Sequence, residues 1–172
     1  MPYEGEILSE CPADLDFQNT SAVVVSGATW NPCGHMILSC GTSSIDSWYF
    51  HVAGQQAGHW WEKSGILAYP KFMRGDANLA RYLGENGKKE IRRLDAKIMN
   101  PSGAYMKLTS FMSDKWFWKV LPHNCAAFVK EIVKAGGGDL SVLLNCPDQE
   151  FVRQVGQAMD QGLKSLPRGP KY

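Results

Sequence analysis

The stretch "GHMILSCGTSSIDSWYFHVAG", residues 34–54, holds two short runs of β-forming residues, each bounded by glycine, on either side of the turn-rich "TSSID". Val, Ile, Tyr, Phe and Trp fit a pleated surface, and a polar turn between two such runs reads as a β-hairpin. His35 stands near the start of the first strand and His51 within the second. The two are equidistant from residue 43. Pairing about that centre makes the imidazoles near cross-strand partners on one face of the sheet.

The second informative stretch is "WKVLPHNCAAFVKEIVKAGGG", residues 118–138. Asn124 is a good N-cap. Phe128, Val129, Ile132 and Val133 form an apolar stripe at helical spacing, and the glycines stop the helix. Cys125 therefore opens a helix, where unpaired N–H groups and the macrodipole favour negative charge. Such a position lowers a thiol's pKa and enriches the nucleophilic thiolate. A histidine within reach completes the logic of nucleophile, base and orienting group. The expected arrangement puts the Cys125 sulfur roughly 3–4 Å from the His35 ring, slightly looser than ideal.

Around these stretches the chain reads as a single α+β domain spanning residues 1–172. Residues 1–20 form a polar arm, and "SAVVVSGATW" (21–30) is a β-branched run ended by Asn31-Pro32. "GQQAGHWWEKSG" is a loop carrying Trp60 and Trp61. "DANLARYLGENG" (76–87) has the start, apolar spacing and glycine stop of a short helix. "EIRRLDAKIM" fits a helix through Ile91, Leu94 and Ile98, and equally fits a strand by alternation; Asn100-Pro101 ends either one. A helical turn near Thr109 leads to the aromatic cluster Trp116, Phe117 and Trp118. A last helix covers "DQEFVRQVGQAMDQGLKSL", before a loose tail, 166–172.

Composition narrows the functional classes. The chain has 172 residues, 44% hydrophobic and 20% charged, with a net charge of +1. That balance opposes a nucleic-acid binder relying on a basic field, and "KKEIRR" is a mixed-sign, solvated stretch. No run approaches the roughly 18 apolar residues of a membrane span. The acidic N-terminus does not look like a Sec-type signal. Five cysteines leave at least one unpaired within the chain, and reduced thiols are the default expectation.

A histidine opening one strand, a second on the next, and a cysteine opening a late helix together resemble the circularly permuted NlpC/P60 papain-like hydrolases. The string "HNCAAFV" is similar to the Asn-Cys-x-x-Phe-Val pattern around the nucleophile of their lecithin:retinol acyltransferase-like branch. The resemblance rests on about residues 30–55 and 120–136. It implies a papain-like α+β fold, with a small antiparallel sheet packed on helices. It also implies Cys125 as nucleophile, His35 as base and His51 as the orienting third member. The turn between the histidines is longer than in the lipid-acting members, and their membrane-anchoring segment is missing. Compact members without a signal occur as antibacterial effectors of type VI-like secretion systems. That implies a thiol amidase or peptidase acting on peptidoglycan stem peptides in a target cell's periplasm. A secretion-spike carrier and an immunity protein are its expected partners. A lipid acyltransferase or phospholipase, and a non-catalytic binding module, are the alternatives.

The remaining candidates have lesser roles. His123 is a competing base in the loop before Cys125, and Asn124 or Gln55 is a candidate second oxyanion donor beside the Cys125 N–H. His59 reads as a surface residue. Cys33, His35 and Cys40 give C-x-H-x4-C, but structural zinc needs a second paired cluster, so neither metal nor cofactor is expected. Serine chemistry lacks a G-x-S-x-G string. "AGGGDL" ends a helix where a phosphate loop would start one.

Overall fold

A computed structural model describes residues 1–7, 10–27, 33–53, 66–114, 116–118, 124–142 and 146–165. Gln55, His59, Trp60, Trp61, His123 and the tail 166–172 lie outside the described residues. In chain order the elements are β1 (Glu6–Ile7), β2 (Thr20–Val25), β3 (His35–Cys40), β4 (Trp48–His51), β5 (Ile66–Ala68), β6 (Lys71–Arg74), α1 (Asp76–Glu85), β7 (Glu90–Asp95), α2 (Pro101–Ser113), β8 (Trp116–Trp118), α3 (Cys125–Ala135) and α4 (Gln149–Ser165). The architecture is α+β. Six antiparallel strands run in the order β1-β6-β4-β3-β2-β7, and β5 pairs with β8 in a separate ribbon.

The central strands β3 and β4 are buried along their whole length because both faces of the sheet are covered. On one face Ala22, Val24, Met36, Leu38 and Phe50 pack under α2 and α3 with Ala104, Leu108, Phe128 and Ile132. On the other, Val23, Val25, Ile37, Tyr49 and Met73 pack under Leu79 and Tyr82 of α1. Phe128 is fully buried, with Trp116 edge-on at 5.7 Å and Phe111 at 5.2 Å between ring centroids. Burying such a ring contributes about 1.5–3 kcal/mol. The C-terminal helix forms as expected, and Val155 and Met159 remain exposed on it.

One open local reading is resolved and two others change. "EIRRLD" is strand β7, added to the outer edge of β2, so the alternating pattern prevails over the helical one. Asn100-Pro101 starts an element instead of stopping one. The Asn100 side chain accepts from the Gly103 N–H, and proline occupies the first helical turn of the 13-residue α2, where its missing N–H costs nothing. The polar arm carries the edge strand β1 against β6.

The expectation of reduced thiols also changes. Cys33 and Cys146, 113 residues apart, form a disulfide with their Cα atoms 4.7 Å apart, while Cys11, Cys40 and Cys125 stay free. The Asp148 N–H donates to the Cys33 carbonyl at 2.9 Å and fastens the same two segments. A cross-link of this span restricts the unfolded chain strongly. Replacing both cysteines by alanine is expected to cost about 2–4 kcal/mol of unfolding free energy, read by denaturant titration.

Candidate active site

The hairpin forms, but its register is displaced by one residue from the expected centre. Cys40 pairs with Trp48, Ser39 with Tyr49 and Leu38 with Phe50, which centres the turn on residue 44. His35 and His51 are thus diagonal neighbours and not direct partners. The displacement keeps both on one face, because it moves each strand by an even number of positions relative to the other.

The ladder between β3 and β4 ends at Leu38–Phe50, although β3 begins at His35 and β4 runs on to His51. Each strand stays paired with its outer neighbour to the end, Val25 with His35 on one side and His51 with Lys71 on the other. The sheet therefore opens between its two central strands. Gly34, at φ 73°, makes the entry into β3; a Cβ there would collide with the Val25 carbonyl oxygen. The His35–His51 hydrogen bond spans the opening.

The hydrogen bonds fix the tautomers of both rings. His51 Nε2 lies 2.9 Å from the backbone carbonyl of Glu4. A carbonyl only accepts, so that nitrogen carries the proton. In a neutral ring His51 Nδ1 is then an acceptor, and it lies 2.9 Å from His35 Nε2, which must donate. His35 is left with Nδ1 unprotonated, a lone pair available to a thiol. Both rings are neutral. Burial lowers His35 well below its usual value, helped by the charge of Lys88 and by His51. Burial likewise takes His51 down to about 4, despite the bond to the Glu4 carbonyl. At 6% and 0% exposure the rings have little water to support a charge.

Cys125 enters from the other side of the sheet. Asn124 caps α3: its side-chain oxygen accepts from the N–H of Ala126 at 3.0 Å and of Ala127 at 3.3 Å. A cap of this kind contributes about 1 kcal/mol, and that oxygen is occupied in building the helix end. The Met36 N–H, one residue beyond His35, and the N–H groups at the start of α3 favour the Cys125 thiolate. Among the described residues the Cys125 sulfur makes no hydrogen bond to either imidazole.

The thiol's protonation corrects the expectation drawn from the helix terminus. Cys125 is 4% exposed, and burial raises its pKa; the Met36 N–H, the Lys88 charge and the helix N–H groups only partly offset that. Desolvation of the thiolate outweighs the helix end. Near pH 7 Cys125 is therefore a thiol and His35 a neutral imidazole. Cys40 is buried as well, and its thiol is pushed up to about 12. Among the described residues no three His, Cys, Asp or Glu side chains are grouped to hold a metal ion. No described helix is long and apolar enough to cross a membrane.

Sequence reasoning placed Cys125, His35, His51 and Asn124, and the structure gathers them at one end of the sheet. It missed the Glu4 carbonyl, the Met36 N–H, and Tyr82 and Lys88. The first two are backbone groups and leave no mark on residue type. Compared with known proteins, the chain matches no family model, no curated protein and no solved structure.

Proposed function

We propose that this protein is a cysteine-dependent hydrolase with a papain-like, permuted NlpC/P60 arrangement, using Cys125 as nucleophile, His35 as base and His51 as orienting residue. The observation that carries the reading is the run of hydrogen bonds from the Glu4 carbonyl through His51 to His35. It commits three ring nitrogens and reserves the fourth, His35 Nδ1, for a proton from the thiol.

The chemistry follows from that assignment. His35 Nδ1 takes the thiol proton as the sulfur attacks the carbonyl carbon of an amide. The negative charge passes to the carbonyl oxygen, with the Cys125 N–H as one donor to it; a donor of this type contributes on the order of 3 kcal/mol to the barrier. Collapse expels the amine, which leaves with the proton from His35. Water then attacks the thioester with His35 again as base, releasing a carboxylic acid and restoring the thiol. In a substrate-free enzyme the nucleophile–base hydrogen bond is commonly long and tightens when substrate binds.

The favoured substrate is an amide of a peptidoglycan stem peptide, cleaved outside the producing cell by an antibacterial effector with a secretion-spike carrier and an immunity partner. The Cys33–Cys146 disulfide supports work in an oxidising compartment. Incubating the pure protein with peptidoglycan and with phospholipid vesicles, followed by mass spectrometry of products, tests the substrate. New amine and carboxyl termini in stem peptides are expected. Released fatty acid or a transferred acyl chain would move the assignment to lipid esters. No product from either, with the histidine bonding intact, would leave a binding module on the same scaffold.

A further inference from the structure

Two residues beside the histidines have no part in the bonding run just described. Tyr82 projects from α1 at 1% exposure, its ring centroid 5.1 Å from that of His51 and 6.2 Å from that of His35. Its phenol oxygen accepts a hydrogen bond from Lys88 Nζ at 2.7 Å, and the same ammonium lies 4.9 Å from the centre of the ring. The end of α1 builds this placement. Gly87 at φ 60° donates its N–H to the Gly84 carbonyl, and the Lys88 N–H reaches back to Leu83. Those bonds make a Schellman turn, with glycine in the left-handed conformation. The turn brings residue 88 back over residue 82.

We propose that Lys88, anchored on Tyr82, is a positioning residue that holds the His35–His51 pair as neutral imidazoles fit to act as a base. Its consequence for catalysis rests on the hydrolase reading; its effect on the rings does not. The groups facing the pair come from five places. Glu4 and Lys71 form a 2.7 Å ion pair by His51, Tyr82 covers both rings from α1, Lys88 follows that helix, and Cys125 comes from α3. Glu4 and Lys71 act on His51 in opposite senses. Lys88 opposes protonation of both rings and favours the thiolate of Cys125. When the proton passes from sulfur to His35, the gain at the sulfur offsets the loss at the ring. Lys88 therefore sets the resting state of the pair more than the height of the barrier.

The test is a titration of the histidine rings by NMR between pH 3 and 8 in the wild type, Lys88→Gln, Lys88→Arg and Tyr82→Phe. Single His→Gln variants assign the resonances. In Lys88→Gln the His35–His51 pair is expected to bind protons about tenfold more tightly, moving its midpoint up by about one pH unit. Lys88→Arg is expected to restore the wild-type curve. Tyr82→Phe, which keeps the ring and removes the anchor, is expected to shift it in the same direction as Lys88→Gln. It also carries the test if Lys88→Gln does not fold. In the pH–rate profile the acid limb should move to higher pH. A Lys88→Gln titration that overlays the wild type overturns the proposal, as does an unshifted Tyr82→Phe if only that variant folds. Shifted rings in a protein that hydrolyses nothing would overturn the hydrolase reading and leave this inference standing.

Discussion

Cys125→Ala is expected to abolish the proposed hydrolysis, with the rate falling at least about 10³-fold, because the proposed nucleophile and every covalent step through it would be lost. The melting temperature should barely move. The side chain belongs to the main core but exceeds alanine by only the sulfur atom, and alanine keeps the helix start that Asn124 caps. Loss of activity with loss of fold would say nothing about chemistry, so the two readouts belong together. A folded Cys125→Ala protein that retained full activity would eliminate the cysteine mechanism. His35→Gln should approach the same loss. His51→Gln should lose less, since its part is to orient and not to accept the proton.

Stability is expected to fall as the solution is acidified from pH 7 toward pH 4.5, before most carboxylates titrate. Below an unfolded-state pKa near 6.5 the unfolded chain takes up protons at residues 35 and 51. The folded chain resists them, with His51 down to about 4 and His35 also well below its usual value. The unfolded state then binds more protons, so unfolding becomes easier as pH drops. His51 alone accounts for on the order of 2 kcal/mol across that interval, and His35 adds in the same sense. Urea titrations at pH 7 and pH 4.5 measure the loss. A double variant, His35→Gln with His51→Gln, should flatten the dependence. A wild type equally stable at both values would mean the rings are charged or exposed in the folded state.

The legible parts of the fold were those whose residue types carry a period or a boundary. The glycine-bounded β-formers of residues 34–54 and the capped apolar stripe after Asn124 led to β3, β4 and α3, and so to three residues of the candidate site. Other parts depended on what the sequence does not encode locally. The arm before β2 looked featureless because the acceptor that orients His51 is a main-chain carbonyl, which any residue would supply. The disulfide joins segments 113 residues apart, and five cysteines gave no reason to choose that pair. Asn100-Pro101 suits a stop or a start equally, and only the Gly103 N–H donating to the Asn100 side chain settles it. The thiol's protonation was misjudged because a helix end is visible in sequence while depth of burial is not. At Cys125 the second outweighs the first.

That balance also sets how Cys125 should react. A thiol whose pKa is raised alkylates slowly with iodoacetamide at pH 6 and faster as pH rises, whereas an ion-paired cysteine labels readily in acid.

The central claim is that the Glu4 carbonyl and His51 fix His35 as a neutral ring with Nδ1 unprotonated. Two-bond ¹⁵N–¹H correlation spectra of the ring nitrogens at pH 7 test it most directly. Both rings are predicted to be neutral and protonated at Nε2. A proton on Nδ1 of His35, or an imidazolium at either position, would contradict the account.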